Sequence, residues 1–170
     1  MGVGVVGIVK RKAEVIAMDI LKLDKLANQP LKLKKIFETV LRNIDTYKPD
    51  ELAIESPFFG KNVQSMLKLG RAQGVAIAAA LYRDIPVFEY SPRKIKQSIT
   101  GKGSASKEQV AAMLQNLLQI KELPDSFDTT DALAVAMCHF FQQKPGEGSS
   151  KTSYTGWKSF LADNPGRVKK

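Results

Sequence analysis

At 170 residues, 44% of them apolar, the chain has the length of one domain and enough hydrophobic mass to build a core. Its 26 Lys and Arg against 17 Asp and Glu leave a formal charge of +9, so a polyanion is the natural partner, although many basic proteins bind none. A lone cysteine, Cys138, excludes an intramolecular disulfide, no apolar run is long enough to span a bilayer, and the apolar residues 1–9 precede the basic Lys10-Arg11-Lys12, the reverse of a secretory signal. Val6 stands where a myristoylation signal needs Ser or Thr, and a cytoplasmic location is expected.

In chain order, residues 4–9 and 14–23 are rich in β-branched side chains and predict a hairpin turning through residues 10–13. From Leu33 the apolar positions Ile36, Phe37, Val40, Leu41 and Ile44 recur at intervals of three and four, which predicts an amphipathic helix ended by Pro49-Asp50. Leu52-Ala53-Ile54 reads as a short buried strand closed by Glu55 and the breaker Ser56-Pro57. A long helix over residues 62–82, a strand over 86–90, a short helix over 92–99 and a loop at 101–104 follow. Ser106 with Gln109 forms a capping-box pattern for the next helix, and the almost wholly apolar residues 130–141 predict a helix buried on most sides. Strands first, then strands alternating with helices, suggest an α/β fold with a mixed sheet flanked by helices. The composition turns to Gln, Lys, Pro, Gly and Ser from residue 142, so a domain is expected over 1–142 and a disordered tail over 143–170.

Acidic side chains are the candidates for chemistry. Glu55 ends an apolar strand, at the carboxyl edge where α/β sheets bind ligands, though a solvated strand-end acid would read the same. Asp128 and Asp131 share one face at the start of the last helix; the helix dipole accounts for one such acid, and two of them point to a metal. Hydrolysis of phosphodiesters by paired Mg²⁺ ions needs convergent carboxylates of this kind. His139 falls about 12 Å beyond Asp131 along a helix and is expected to be a satisfied histidine near the helix end, with Cys138 beside it in the core. Gly2-Val3-Gly4-Val5-Val6-Gly7 matches a dinucleotide fingerprint, but a strand-like run follows it where a helix is required. Arg93, Lys94, Lys96, Lys102 and Lys107 cluster around a glycine-containing loop that could hold a nucleic-acid backbone or be an ordinary solvated face.

Five segments in order resemble the RuvC family of Holliday-junction resolvases over residues 2–141: L-A-I-E-S-P-F-F-G-K-N from Leu52, L-K-L-G-R-A-Q-G-V-A from Leu67, V-F-E-Y-S-P-R-K-I-K from Val87, G-S-A-S-K-E-Q-V from Gly103 and D-T-T-D-A-L-A from Asp128. The resemblance implies a ribonuclease-H-like fold, a homodimer, and cleavage of four-way junction DNA in recombination and repair with two Mg²⁺ per subunit, for which Mn²⁺ can substitute. It implies that Glu55, Asp128 and Asp131 are metal ligands, that Phe58 stacks on a base at the junction centre, and that Lys96 and Lys107 lie near the scissile phosphate. The RuvA and RuvB branch-migration proteins are implied as partners. The family opens with a strand ending in G-I-D-P-G, whose aspartate is a fourth acid, and this sequence begins at the strand after it, Met1-Gly2-Val3-Gly4. The expectation is therefore a fold without its first strand, read either as an active nuclease whose start lies further upstream or as a catalytically impaired protein that binds junction DNA. The spacing of Gly70 and Gly74 on one helix face suggests a close-packed contact, with a dimer partner or with the chain's own sheet.

Overall fold

The computed structural model describes residues 1–57, 62–120 and 127–143. Strands β1 (Gly2–Val9) and β2 (Lys12–Ile20) form the hairpin, paired from Gly2 opposite Ile20 to Val9 opposite Lys12. The turn is only Lys10-Arg11, with φ of 48° and 64°. Two successive left-handed residues give the twist that antiparallel strands prefer, here without the Asn-Gly that usually marks such a turn. A register irregularity falls at Val5/Val6, where Val5 faces Ala17 and Val6 faces Val15.

Helix α1 (Gln29–Tyr47) starts earlier than its apolar period suggests, because Asn28 caps it by accepting from Leu31 N and Pro30 occupies the first turn. Strand β3 (Leu52–Glu55), helix α2 (Val63–Leu81) and strand β4 (Val87–Tyr90) form a βαβ unit whose strands are parallel, with Leu52 opposite Val87 and Glu55 opposite Tyr90. Helices α3 (Pro92–Thr100), α4 (Lys107–Leu118) and α5 (Phe127–Gln142) complete the described fold.

Side chains alternate across β3 and so divide the core in two. Leu52 and Ile54 face α1 and α2, packing on a cluster of Ile36, Val40, Ile44, Ala76, Ala79 and Ala80. Ala53 faces the other way, onto the cluster built by α3, α4 and α5 around Leu114, Leu133, Met137 and Cys138. The result is helices on both sides of the strands, the α/β arrangement expected. The mixed sheet is present as two separate two-stranded sheets, β1-β2 and β3-β4, and α5 packs against strands of both. Gly2 and Gly4 allow that helix to approach: a Cβ at Gly2 would run into the Asp128 carbonyl, and one at Gly4 would come 3.0 Å from Leu133 Cδ2. The apparent dinucleotide fingerprint is thus strand β1 lying against a helix.

Candidate active site

The alternation that points Ala53 toward α5 does the same for Glu55, two residues on. Asp128 and Asp131 occupy the first turns of α5, so the carboxyl edge of β3 and the N-terminal end of α5 bring the predicted acids to one corner of the molecule. Thr130 Oγ1 donates to the Phe127 carbonyl at 2.9 Å and helps hold that turn.

Lys107 ties the corner together. It is the first residue of α4, set by a capping box in which Ser106 Oγ accepts from Gln109 N and Gln109 Oε1 accepts from Ser106 N. Its Nζ donates to Asp131 Oδ2 at 2.7 Å and lies 5.9 Å from the centre of the Phe127 ring. That hydrogen bond, before any other cause, raises the Lys107 pKa and holds the ammonium charged, with the charges of Asp128 and Glu55 adding to it. Glu55 shifts the opposite way in stability terms: burial, then the charge of Asp131, pushes its carboxyl above the ordinary range, while Lys107 and Lys96 pull it back.

Asp128 Oδ2 pairs with the Met1 ammonium at 2.9 Å. Among the described residues, no three acidic, histidine or cysteine side chains close on one point as a ready-made cage. The donor set still fits a divalent ion, since three carboxylates are hard oxygen ligands of the kind Mg²⁺ takes.

Arg93, Lys94 and Lys102 are exposed and Lys96 is half-buried, all on α3 or the loop after it, with the Arg93 side chain lying over Gly103. Phe58 lies outside the described residues. Sequence reasoning gave no role to Gln73, whose Nε2 donates to the Glu55 carbonyl at 2.5 Å and ties α2 to the end of β3. Gln73 lies one turn before the buried Ala76, on the inward side of α2, but that position alone does not name its partner. His139 is satisfied as expected, between Tyr90 and Glu51, and Cys138 is a fully buried free thiol.

Residues 1–139 match the family model described as crossover junction endodeoxyribonuclease RuvC. The chain belongs to the RuvC family. Curated relatives bearing that name include the protein of Bacteroides fragilis, 58% identical over 99% of this chain and 90% of its own length, and that of Cytophaga hutchinsonii, 54% identical over 99% of this chain and 82% of its own. Among solved structures, Thermus thermophilus RuvC superposes with a TM-score of 0.74 at 32% identity, covering 82% of this chain and 87% of that one. The same protein in complex with a Holliday junction substrate gives 0.73 at 30% identity, covering 82% and 86%. These likenesses agree with the ribonuclease-H-like, α/β fold of RuvC and imply that a divalent metal serves the family's hydrolysis.

Proposed function

We propose that this chain is a structure-selective endonuclease that resolves four-way DNA junctions by metal-dependent phosphodiester hydrolysis. The observation that carries the reading is that Glu55, at the end of β3, feels the charges of Asp131 on α5 and of Lys107, which is itself bonded to Asp131, in a chain that belongs to the RuvC family. Glu55, Asp128 and Asp131 would hold Mg²⁺, two ions per subunit, with Mn²⁺ able to substitute. Bound there, the metal supplies a lowered pKa for the attacking water and neutralises charge on the phosphate.

The chain's own side chains do the rest. Lys107 stands where its ammonium can offset charge developing on the phosphate, and its raised pKa keeps it charged. Lys96, with Arg93, Lys94 and Lys102, holds the DNA backbone against the site, and such contacts supply affinity without reading sequence. Phe58, just after Glu55, would stack on a base at the opened junction centre, where any base offers a π-face.

Two strands must be cut, so the working form is a homodimer. Support comes from α2, where among the described residues nothing lies within 4 Å of a Cβ at Gly70 or Gly74, and Leu67 is 50% exposed. Packing on the chain's own sheet therefore does not explain the glycine pair. Family membership supports RuvA and RuvB as partners in a cytoplasmic setting, and among the described residues no helix is long and apolar enough to cross a membrane. We assign residues 1–142 to the nuclease domain and 143–170 to a tail, most of which lies outside the described residues.

The decisive experiment uses a synthetic four-way junction and a linear duplex of the same sequence, with Mg²⁺ or with chelator. Cleavage should need both the junction and the metal, and Glu55→Gln, Asp128→Asn or Asp131→Asn should each abolish it while junction binding persists, because binding rests on the basic surface. Full cleavage by Glu55→Gln would overturn the assignment.

A further inference from the structure

We infer that Glu51, His139 and Tyr90 form a positioning clamp that sets the register of α5 against β3 and thereby the approach of Asp131 to Glu55; the inference rests on the metal-site reading above. His139 Nε2 lies 2.6 Å from Glu51 Oε2, and its Nδ1 lies 2.7 Å from the Tyr90 hydroxyl. A carboxylate offers no proton, so Nε2 carries the hydrogen and donates to Glu51, and in the neutral ring Nδ1 then accepts from Tyr90 O–H. Both ring nitrogens are thus used by a single tautomer. Gln143 Nε2 donates to the same Glu51 oxygen at 2.6 Å, and the Phe88 ring covers the imidazole with centroids 4.6 Å apart.

The placement follows from the strand pattern. Glu51 and Glu55 lie on the same side of β3 as Ala53, and in the parallel ladder Phe88 and Tyr90 stand opposite Ala53 and Glu55, so all five face α5. Glu51 and Glu55 are four residues apart, about 13 Å at ~3.3 Å per strand residue. Asp131 and His139 are eight apart, about 12 Å at 1.5 Å per helical residue. The two spans match, so pairing Glu51 with His139 at one end places Glu55 beside Asp131 at the other. A slip of α5 by one residue would move the acid by about 1.5 Å and turn it by about 100°, and would also break both bonds to the imidazole. Three groups from β4, the approach to β3 and the far end of α5 hold that register without touching the reacting atoms.

The test compares Glu51→Ala, Glu51→Gln and Tyr90→Phe with the parent full-length chain. It reads Mn²⁺ affinity by calorimetry, the Mg²⁺ concentration for half-maximal cleavage, junction Kd and Tm. Glu51→Ala should weaken Mn²⁺ binding and raise the half-maximal Mg²⁺ by about tenfold, the range seen when partners behind metal ligands are removed, with junction Kd unchanged. Glu51→Gln keeps an acceptor for Nε2–H and should recover most of that loss. Tyr90→Phe, which deletes one hydroxyl and keeps the ring, serves if Glu51→Ala folds poorly, and should shift the metal dependence in the same direction. A lower Tm with parental Mn²⁺ affinity and Mg²⁺ dependence in both variants would overturn the clamp, reducing it to a stabilising contact. Asp131→Asn separates the two readings. Lost Mn²⁺ binding there beside parental binding in Glu51→Ala and Tyr90→Phe overturns the clamp alone; retained Mn²⁺ binding in Asp131→Asn overturns the metal site and the clamp with it.

Discussion

Lys107 and Asp131 meet at 2.7 Å although both side chains remain substantially in solvent, 54% and 41% exposed. A pair so placed adds little to stability, typically at most about 1 kcal/mol, because water screens it and ordering two long side chains costs entropy. Its position beside Glu55, at the carboxyl edge of β3, gives it a chemical use instead.

Replacing Lys107 by Met should therefore leave Tm nearly unchanged while cleavage falls by roughly a hundredfold or more, the loss typical when one group stabilising transition-state charge is removed. Lys107→Arg should retain part of the rate. The same Lys107→Met protein should show a slightly shallower salt dependence of junction binding, by about one counterion. A large fall in Tm with a small fall in rate would reverse the argument.

Glu55 yields a prediction about pH. Burial and Asp131 hold its carboxyl above its ordinary value of 4.5 in the folded chain, so the folded state takes up its proton at a higher pH than the unfolded state does. Between those two values, stability falls as pH rises, and above both the ionised Glu55 is a net liability. In chelator, Glu55→Gln should raise Tm at neutral pH, and the gain should vanish as pH drops below the ordinary carboxylate range. Mg²⁺ should stabilise the parent chain more than the variant, since only the parent offers the charged ligand. Melting curves across pH with and without Mg²⁺ check all three statements.

Ser106 offers a contrast to Lys107, its neighbour. Its hydroxyl accepts from Gln109 N at 3.3 Å at the start of α4, so Ser106→Ala should cost about 1 kcal/mol of stability. Because Lys107 is the next residue, cleavage should fall modestly through a looser first turn, and low temperature should restore it. Thermal melts beside junction cleavage at two temperatures would show whether stability and rate separate as argued.

Much of this was legible in the sequence, and what was missed has local causes. Apolar spacing predicts α1, a nearly unbroken apolar run predicts α5, and Ser106 with Gln109 predicts a cap that the structure contains. The start of α1 was read late because its signal is the Asn28 cap and Pro30, ahead of the apolar period. The hairpin turn was read two residues too long, since left-handed Lys10 and Arg11 carry no glycine or asparagine to mark them. Strand pairing is not encoded locally, so the division into two sheets could not be read from alternation alone. Glu55, Asp128 and Asp131 stand out as candidates in the sequence because acids flanking apolar elements are conspicuous. Gln73 escaped because its bond to the Glu55 carbonyl joins groups 18 residues apart. The length match between Glu51–Glu55 and Asp131–His139 exists only once α5 is laid against β3.

The exposed face of α2 supports the last prediction. Val63, Leu67, Gly70, Gly74 and Leu81 recur at helical spacing, and Val63, Leu67 and Leu81 are 59%, 50% and 57% exposed, an apolar stripe that costs solubility unless something covers it. Among the described residues no atom lies near a Cβ at Gly70 or Gly74, so within that part of one chain a larger residue meets no clash, and Gly74→Ala should add about 0.5–1 kcal/mol through helix propensity. Between two chains the outcome has the opposite sign. If this stripe is the dimer contact, the glycines let two helices approach closely, and Gly74→Leu should force them apart while Leu67→Glu places a charge in an apolar seam. Sedimentation at micromolar concentration should show the parent chain as a dimer and both variants shifted toward monomer, with far-ultraviolet circular dichroism unchanged. Cleavage should follow the dimer, each subunit cutting one strand, so the variants should nick junctions more often than they resolve them. A parent chain that sediments as a monomer, or a Gly74→Leu protein that keeps its dimer, would place the contact on another surface.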